Sequence, residues 1–261
     1  MRRLLALLAG LALCASAAAK VVVEELNYAD GATKLKGYLA YDDASKARRP
    51  GVLVLPEWWG MTPHLQDYAR DLAAHGYTAL AVDMYGKVAA DKKEAGELMN
   101  GVMQKPGTMQ SRFEAAKRML VAHPSVDPGH LAAIGFSMGG RIVLQMARSG
   151  EDLAAVAVFY GNLATETPAK AGAAHPRVLV LNAAGDPYVE AKSVAAFKQE
   201  MDAANVKYKF VDYPGARHGF ANPLATEYGK KFDMPIAYDA ETDRRARAEM
   251  FAFLEEVFGK R

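Results

Sequence analysis

The sequence predicts an α/β fold: a mostly parallel, doubly wound sheet with helices on both faces and an antiparallel N-terminal hairpin. Three observations carry this. Short apolar runs at 51–55, 77–82, 131–134, 153–159, 177–181 and 206–213 read as strands buried on both faces. Amphipathic runs with helical spacing fall between most of them, the alternation that builds parallel βαβ units. Near the start, 21–28 and 34–41 are β-rich runs around Ala29-Asp30-Gly31-Ala32, and Asp-Gly there reads as a hairpin turn.

The elements follow in order. Residues 1–19 read as an export leader. Arg2 and Arg3 precede an apolar run at 4–14 that is too short to span a bilayer, and Ala17-Ala18-Ala19 offers small residues before a cut at Lys20. The expected mature chain is 20–261, a single domain outside the cytoplasm, periplasmic or secreted. Its loss of the leader removes Cys14, the one cysteine, and two of 32 basic residues, leaving 30 against 30 acidic. Disulfides, thiol nucleophiles and cysteine metal sites are excluded, and nothing favours nucleic acid or an anionic membrane as a partner. After the strand at 51–55, Thr62 reads as an N-cap with Pro63 at the first helical position, and Gly76 ends that helix. Helices are expected at 91–104, 109–122, 137–149, 188–203 and 240–259, with 221–237 irregular.

Chemistry enters at Gly135-Phe136-Ser137-Met138-Gly139, a G-x-S-x-G between an apolar strand and an amphipathic helix. That context is a nucleophile elbow, a turn that lifts the serine hydroxyl above the sheet. The two glycines stand where side chains would collide. A serine hydroxyl needs a general base, and the base needs an orienting carboxylate. His130 and His175 precede strands, and His75 and His123 lead back into them, so all four belong to the opposite edge. Only His64 and His218 lie near strand carboxyl ends. His218 follows the last strand and the serine, and is the expected base. Asp186, in the loop after 177–181, is the expected acid, with Asp212 as the alternative. The amides of Met138 and Trp58 are the expected oxyanion donors. Trp58 and Trp59 suggest an aromatic wall for substrate.

With the elbow, Pro56-Glu57-Trp58-Trp59-Gly60, Asp83-Met84-Tyr85-Gly86, Gly185-Asp186 and His218-Gly219-Phe220 in this order, the chain resembles the dienelactone hydrolase family of α/β-hydrolases over 21–259. The resemblance implies an α/β-hydrolase fold and a triad of Ser137, His218 and Asp186. It implies a glutamate beside the nucleophile at Glu57, an aromatic at Tyr160, and Tyr85 in the substrate pocket. It also implies arginines for a substrate carboxylate, of which Arg217 is the nearest by sequence. The family's founding enzymes carry a cysteine where this chain has Ser137. The expected activity is hydrolysis of a small-molecule carboxylic ester or lactone, without metal or organic cofactor. An acyltransferase or peptidase with the same triad, or a binding protein on this scaffold, are the alternatives. Oligomeric state is not encoded in any motif here.

Overall fold

The computed structural model describes residues 20–44, 46–173 and 175–260. The leader at 1–19, with its expected cut after Ala19, lies outside the described residues.

One eight-stranded sheet carries the chain. Its strands are β1 (Val21–Asp30), β2 (Thr33–Asp42), β3 (Arg49–Leu55), β4 (Thr78–Ala81), β5 (Val126–Phe136), β6 (Ala155–Phe159), β7 (Arg177–Ala183) and β8 (Tyr208–Tyr213). They lie in the order β1-β2-β4-β3-β5-β6-β7-β8. The β1–β2 hairpin pairs antiparallel, and β2 joins β4 antiparallel. From β4 to β8 every pairing is parallel. All seven residues of β3 and all five of β6 are buried, as apolar runs sandwiched between helix layers should be.

The pleat divides the core in two. Val52, Val54, Ile134 and Phe136 face α1 (Pro63–Ala74) and α7 (Ala240–Phe258), against Leu65, Tyr68, Met250 and Phe253. Leu53, Leu55, Ala133 and Val158 face α3 (Thr108–Ala122), α4 (Met138–Arg148) and α5 (Ala191–Ala203), against Phe113, Val143, Leu144 and Phe197. Helix α2 (Lys92–Met103) precedes α3, and Asp91 caps it by accepting from Glu94 N at 2.9 Å.

Four expectations change. The strand before the elbow starts at Val126 rather than 131, because Arg49 and Pro50 pair with Val126 and Asp127 before the register jumps to Gly51 with Leu131. Thr62 stands at the N-cap of α1, but its side chain makes no cap bond. The helix expected from 188 begins at Ala191, since the Tyr188 amide is already bound to Asp186 Oδ1 at 2.8 Å. The stretch 221–237, expected irregular, contains α6 (Ala225–Phe232), whose eight residues are too few for a helix to stand alone. It is held from outside: the rings of Tyr228 and Phe232 lie 4.8 and 5.2 Å from that of Trp59.

The elbow glycines are set by close approach. A Cβ on Gly135 would lie 2.1 Å from the Gly139 carbonyl oxygen, and one on Gly139 would lie 2.5 Å from that of Leu55. Both neighbours are backbone and cannot yield. Gly135→Ala should therefore cost about 4 kcal/mol or more, the range of severe steric insults, and lower the melting temperature by about 10 °C. Gly96→Ala in α2, where a Cβ meets nothing within 4 Å, should instead gain up to about 1 kcal/mol. Thermal melts of the two variants check the contrast.

Candidate active site

Between Phe136 of β5 and Met138 of α4 stands Ser137 alone, with φ 51° and ψ −108°. This is a costly conformation for a residue with a side chain, and neighbouring strands hold it there. The Ser137 amide donates to Phe159 O of β6, and the Gly139 amide donates to Pro56 O just past β3, each at 2.9 Å. The hydroxyl is thereby fixed at the carboxyl edge of the sheet.

His218 comes from the loop after β8. That loop is pinned by a parallel bridge to Ile236 and by the Ala237 amide donating to His218 O at 3.1 Å. His218 Nε2 lies 2.8 Å from Ser137 Oγ, and Nδ1 lies 2.7 Å from Asp186 Oδ2. Asp186 has a fully buried carboxyl, and its other oxygen accepts from Tyr188 N. With only an acceptor facing it, Nδ1 carries the proton, Nε2 is left with a lone pair, and the Ser137 hydroxyl donates to it. The three side chains expected from the sequence therefore meet. The alternatives do not join them: Asp212 accepts from Asn182 Nδ2 at 2.7 Å. His64 is buried with its ring against Tyr68 and Phe136, where burial pushes it down to about 3 and keeps it neutral.

The Met138 and Trp58 amides have no acceptor of their own among the described residues, and both residues line the cavity over Ser137. Glu57 also lines it, almost wholly buried. Its two oxygens accept from the Tyr160 hydroxyl, at 3.1 Å, and from Asn222 Nδ2. Tyr160 takes a left-handed φ of 39° and sets its ring edge-on, 5.1 Å from that of His218. Burial pushes the Glu57 carboxyl above its usual range, with His218 and the two donors pulling part of the way back.

This shift has a sign that can be measured. The unfolded carboxyl titrates near about 4.3 and the folded one higher. Its contribution to stability is therefore full below about pH 4 and is lost as pH rises through the folded value. Glu57→Gln removes that loss, while the pH-independent cost of its imperfect hydrogen bonds cancels in the comparison. The melting temperature of the variant should gain on wild type between about pH 4 and pH 8; a gap that stays constant or shrinks contradicts the assignment.

The remaining expected pocket residues divide. Trp58 lines the cavity. Trp59 is 3% exposed and lies behind it, because its ring is claimed by Tyr228 and Phe232. Tyr85 and Tyr160 are also behind: the Tyr85 hydroxyl donates to Met138 Sδ at 2.9 Å, and Tyr160, fully buried beneath Glu57, is not part of the lining. Arg217 is exposed and outside the lining, whereas Arg141, on the first turn of α4, is part of it. Residues not expected are Met99, Met103, Asn162, Tyr188 and Met234. Met99 and Met103 did carry a signal, a four-residue spacing that puts both on one face of α2.

Comparison with known proteins agrees with this architecture. The model of the dienelactone hydrolase family matches residues 35–258. A Salmonella typhi protein provisionally named a carboxymethylenebutenolidase is 30% identical over 198 residues, 71% of this chain and 73% of that one. Among solved structures, a dienelactone hydrolase-like promiscuous phosphotriesterase from metagenomic libraries is 34% identical. Its TM-score is 0.86, over 92% of this chain and 99% of that one. A protein named m3DLH is 36% identical with a TM-score of 0.85, over 91% and 99%.

Proposed function

The chain belongs to the dienelactone hydrolase family, and from that premise we propose that it hydrolyses carboxylic esters or lactones by a serine mechanism. The observation that carries the reading is the unbroken chain from Ser137 Oγ through His218 to the buried Asp186 carboxylate. The name of the Salmonella typhi relative, that of a lactone hydrolase, supports the substrate class.

In this reading Ser137 Oγ attacks the carbonyl carbon while its proton passes to His218 Nε2. The oxyanion settles between the free amides of Met138 and Trp58. Collapse breaks the bond to the leaving oxygen, which takes the proton from Nε2 as it departs. A lactone opens at this step, so its leaving hydroxyl stays on the acyl group. Water then gives a proton to Nε2 as it attacks the acyl-enzyme. The second collapse releases the acid and returns the proton to Ser137. Asp186 holds the imidazole in the required tautomer and offsets the imidazolium charge. Among the described residues no cluster of three or more His, Cys, Asp or Glu side chains is arranged to hold a metal, so no step is routed through one. The leader reading of 1–19 makes this an exported enzyme.

The test is covalent. A small fluorophosphonate should label Ser137, located by mass spectrometry of the digested protein, and abolish hydrolysis of an ester and an unsaturated lactone in proportion to labelling. Hydrolysis that survives full labelling would falsify the serine mechanism.

A further inference from the structure

The cavity over Ser137 has a volume of about 320 Å³ and an unusual composition: Met99, Met103, Met138 and Met234 all line it, with Trp58 and Tyr188. Two separate segments supply this wall. Helix α2 contributes Met99 and Met103, and the turn after α6 contributes Met234. Both rest on one support. Trp59 stacks on Phe232 and meets Tyr228 at a tilt, both on α6, shares a cluster with Ala95 and Leu98 of α2, and its carbonyl accepts from Ala89 N at 2.9 Å. The exposed Arg141 and Asn162 form the polar part of the lining.

We propose that this methionine wall receives one flexible apolar limb of the substrate, so that the protein acts on straight-chain esters of medium length. The inference rests on the hydrolase reading above and adds its substrate class. Methionine is unbranched, with three rotatable bonds, and fits apolar partners of varied shape better than a rigid wall does. The volume sets the size. A cavity of about 150 Å³ holds one benzene ring, so the space here admits roughly twice that, about a dozen non-hydrogen atoms. Methyl octanoate is of that size, and a long-chain fatty ester is not.

The experiment follows acid release from methyl esters of straight-chain acids, acetate to palmitate, by wild type, Met103→Gln and Met234→Gln. Glutamine keeps the length of methionine and makes it polar. The two half-exposed positions lie on opposite segments, so misfolding of one variant leaves the other as the test. Wild-type kcat/KM should rise about fourfold per methylene, the value of burying one CH2, up to about the octanoate, and then fall. Each variant should flatten the rise, lowering the octanoate-to-acetate ratio about tenfold or more. A flat wild-type series, an optimum at acetate or palmitate, or slopes unchanged in both variants overturns the inference. Fluorophosphonate labelling separates the two levels. If Ser137 is labelled but the series is flat, the pocket assignment falls and the hydrolase stands. If Ser137 is neither labelled nor any ester cleaved, the hydrolase reading falls and takes the inference with it.

Discussion

Ser137→Ala should lower kcat by roughly 10⁶, the scale on which a triad fails when its nucleophile is removed. Among the described residues no neighbour is placed to substitute: none of them is a cysteine, and the hydroxyl of Tyr160 is directed at Glu57. The amides of Met138 and Trp58 survive the change, so a residual acceleration of about 10³ over water is expected to remain. The fold should be unaffected. Ala and Ser meet the same left-handed penalty at φ 51°, and the hydroxyl's hydrogen-bond partner is His218. Unchanged melting with lost turnover of an ester is the expected pair of results. Retained turnover would place the nucleophile elsewhere.

Asp186→Asn should cost about 10⁴ in kcat near neutral pH, and the structure says how. The carboxylate receives two donors, Tyr188 N on Oδ1 and His218 Nδ1 on Oδ2. In the asparagine, the carbonyl oxygen must stay with the Tyr188 amide, which has no other acceptor. The NH2 group then faces Nδ1 and donates to it. The imidazole is driven to carry its proton on Nε2, the nitrogen that must accept from Ser137. The base is present, correctly placed and in the wrong tautomer. Steady-state kinetics should show the fall in kcat with little change in KM, since no cavity wall has moved. A loss under tenfold would mean that Asp186 merely shapes its turn.

Much of this was readable in the residues. The elbow is a local signal, because strand, glycines, serine and helix are contiguous. His218 and Asp186 follow from chain order and from the rule that parallel strands deliver their loops to one edge. The sheet also explains why Asp212 is not the acid: β7 and β8 are in register, with Asn182 beside Asp212, so the carboxylate is engaged within the ladder. The walls of the pocket were less legible. Trp59 and Arg217 were expected in it as chain neighbours of functional residues, and adjacency does not fix direction. The arginine that does line it, Arg141, stands four residues after Ser137, one helical turn along the same face. Met234 and Asn222 carry no local pattern: Met234 arrives through the packing of α6 on Trp59, and Asn222 through the turn its amide closes onto Gly219 O.

The sulfurs around Ser137 also decide how this protein would age. The described residues include no cysteine and so no thiol to oxidise, yet three of the four pocket methionines are partly open to solvent. Peroxide converts such a thioether to a polar sulfoxide. The damage would spare the nucleophile, its histidine and its aspartate, and fall on the surface that grips the substrate. An oxidised population would keep reacting with the smallest esters while losing its hold on longer ones. Thiol reductants would not reverse this, but methionine sulfoxide reductases would.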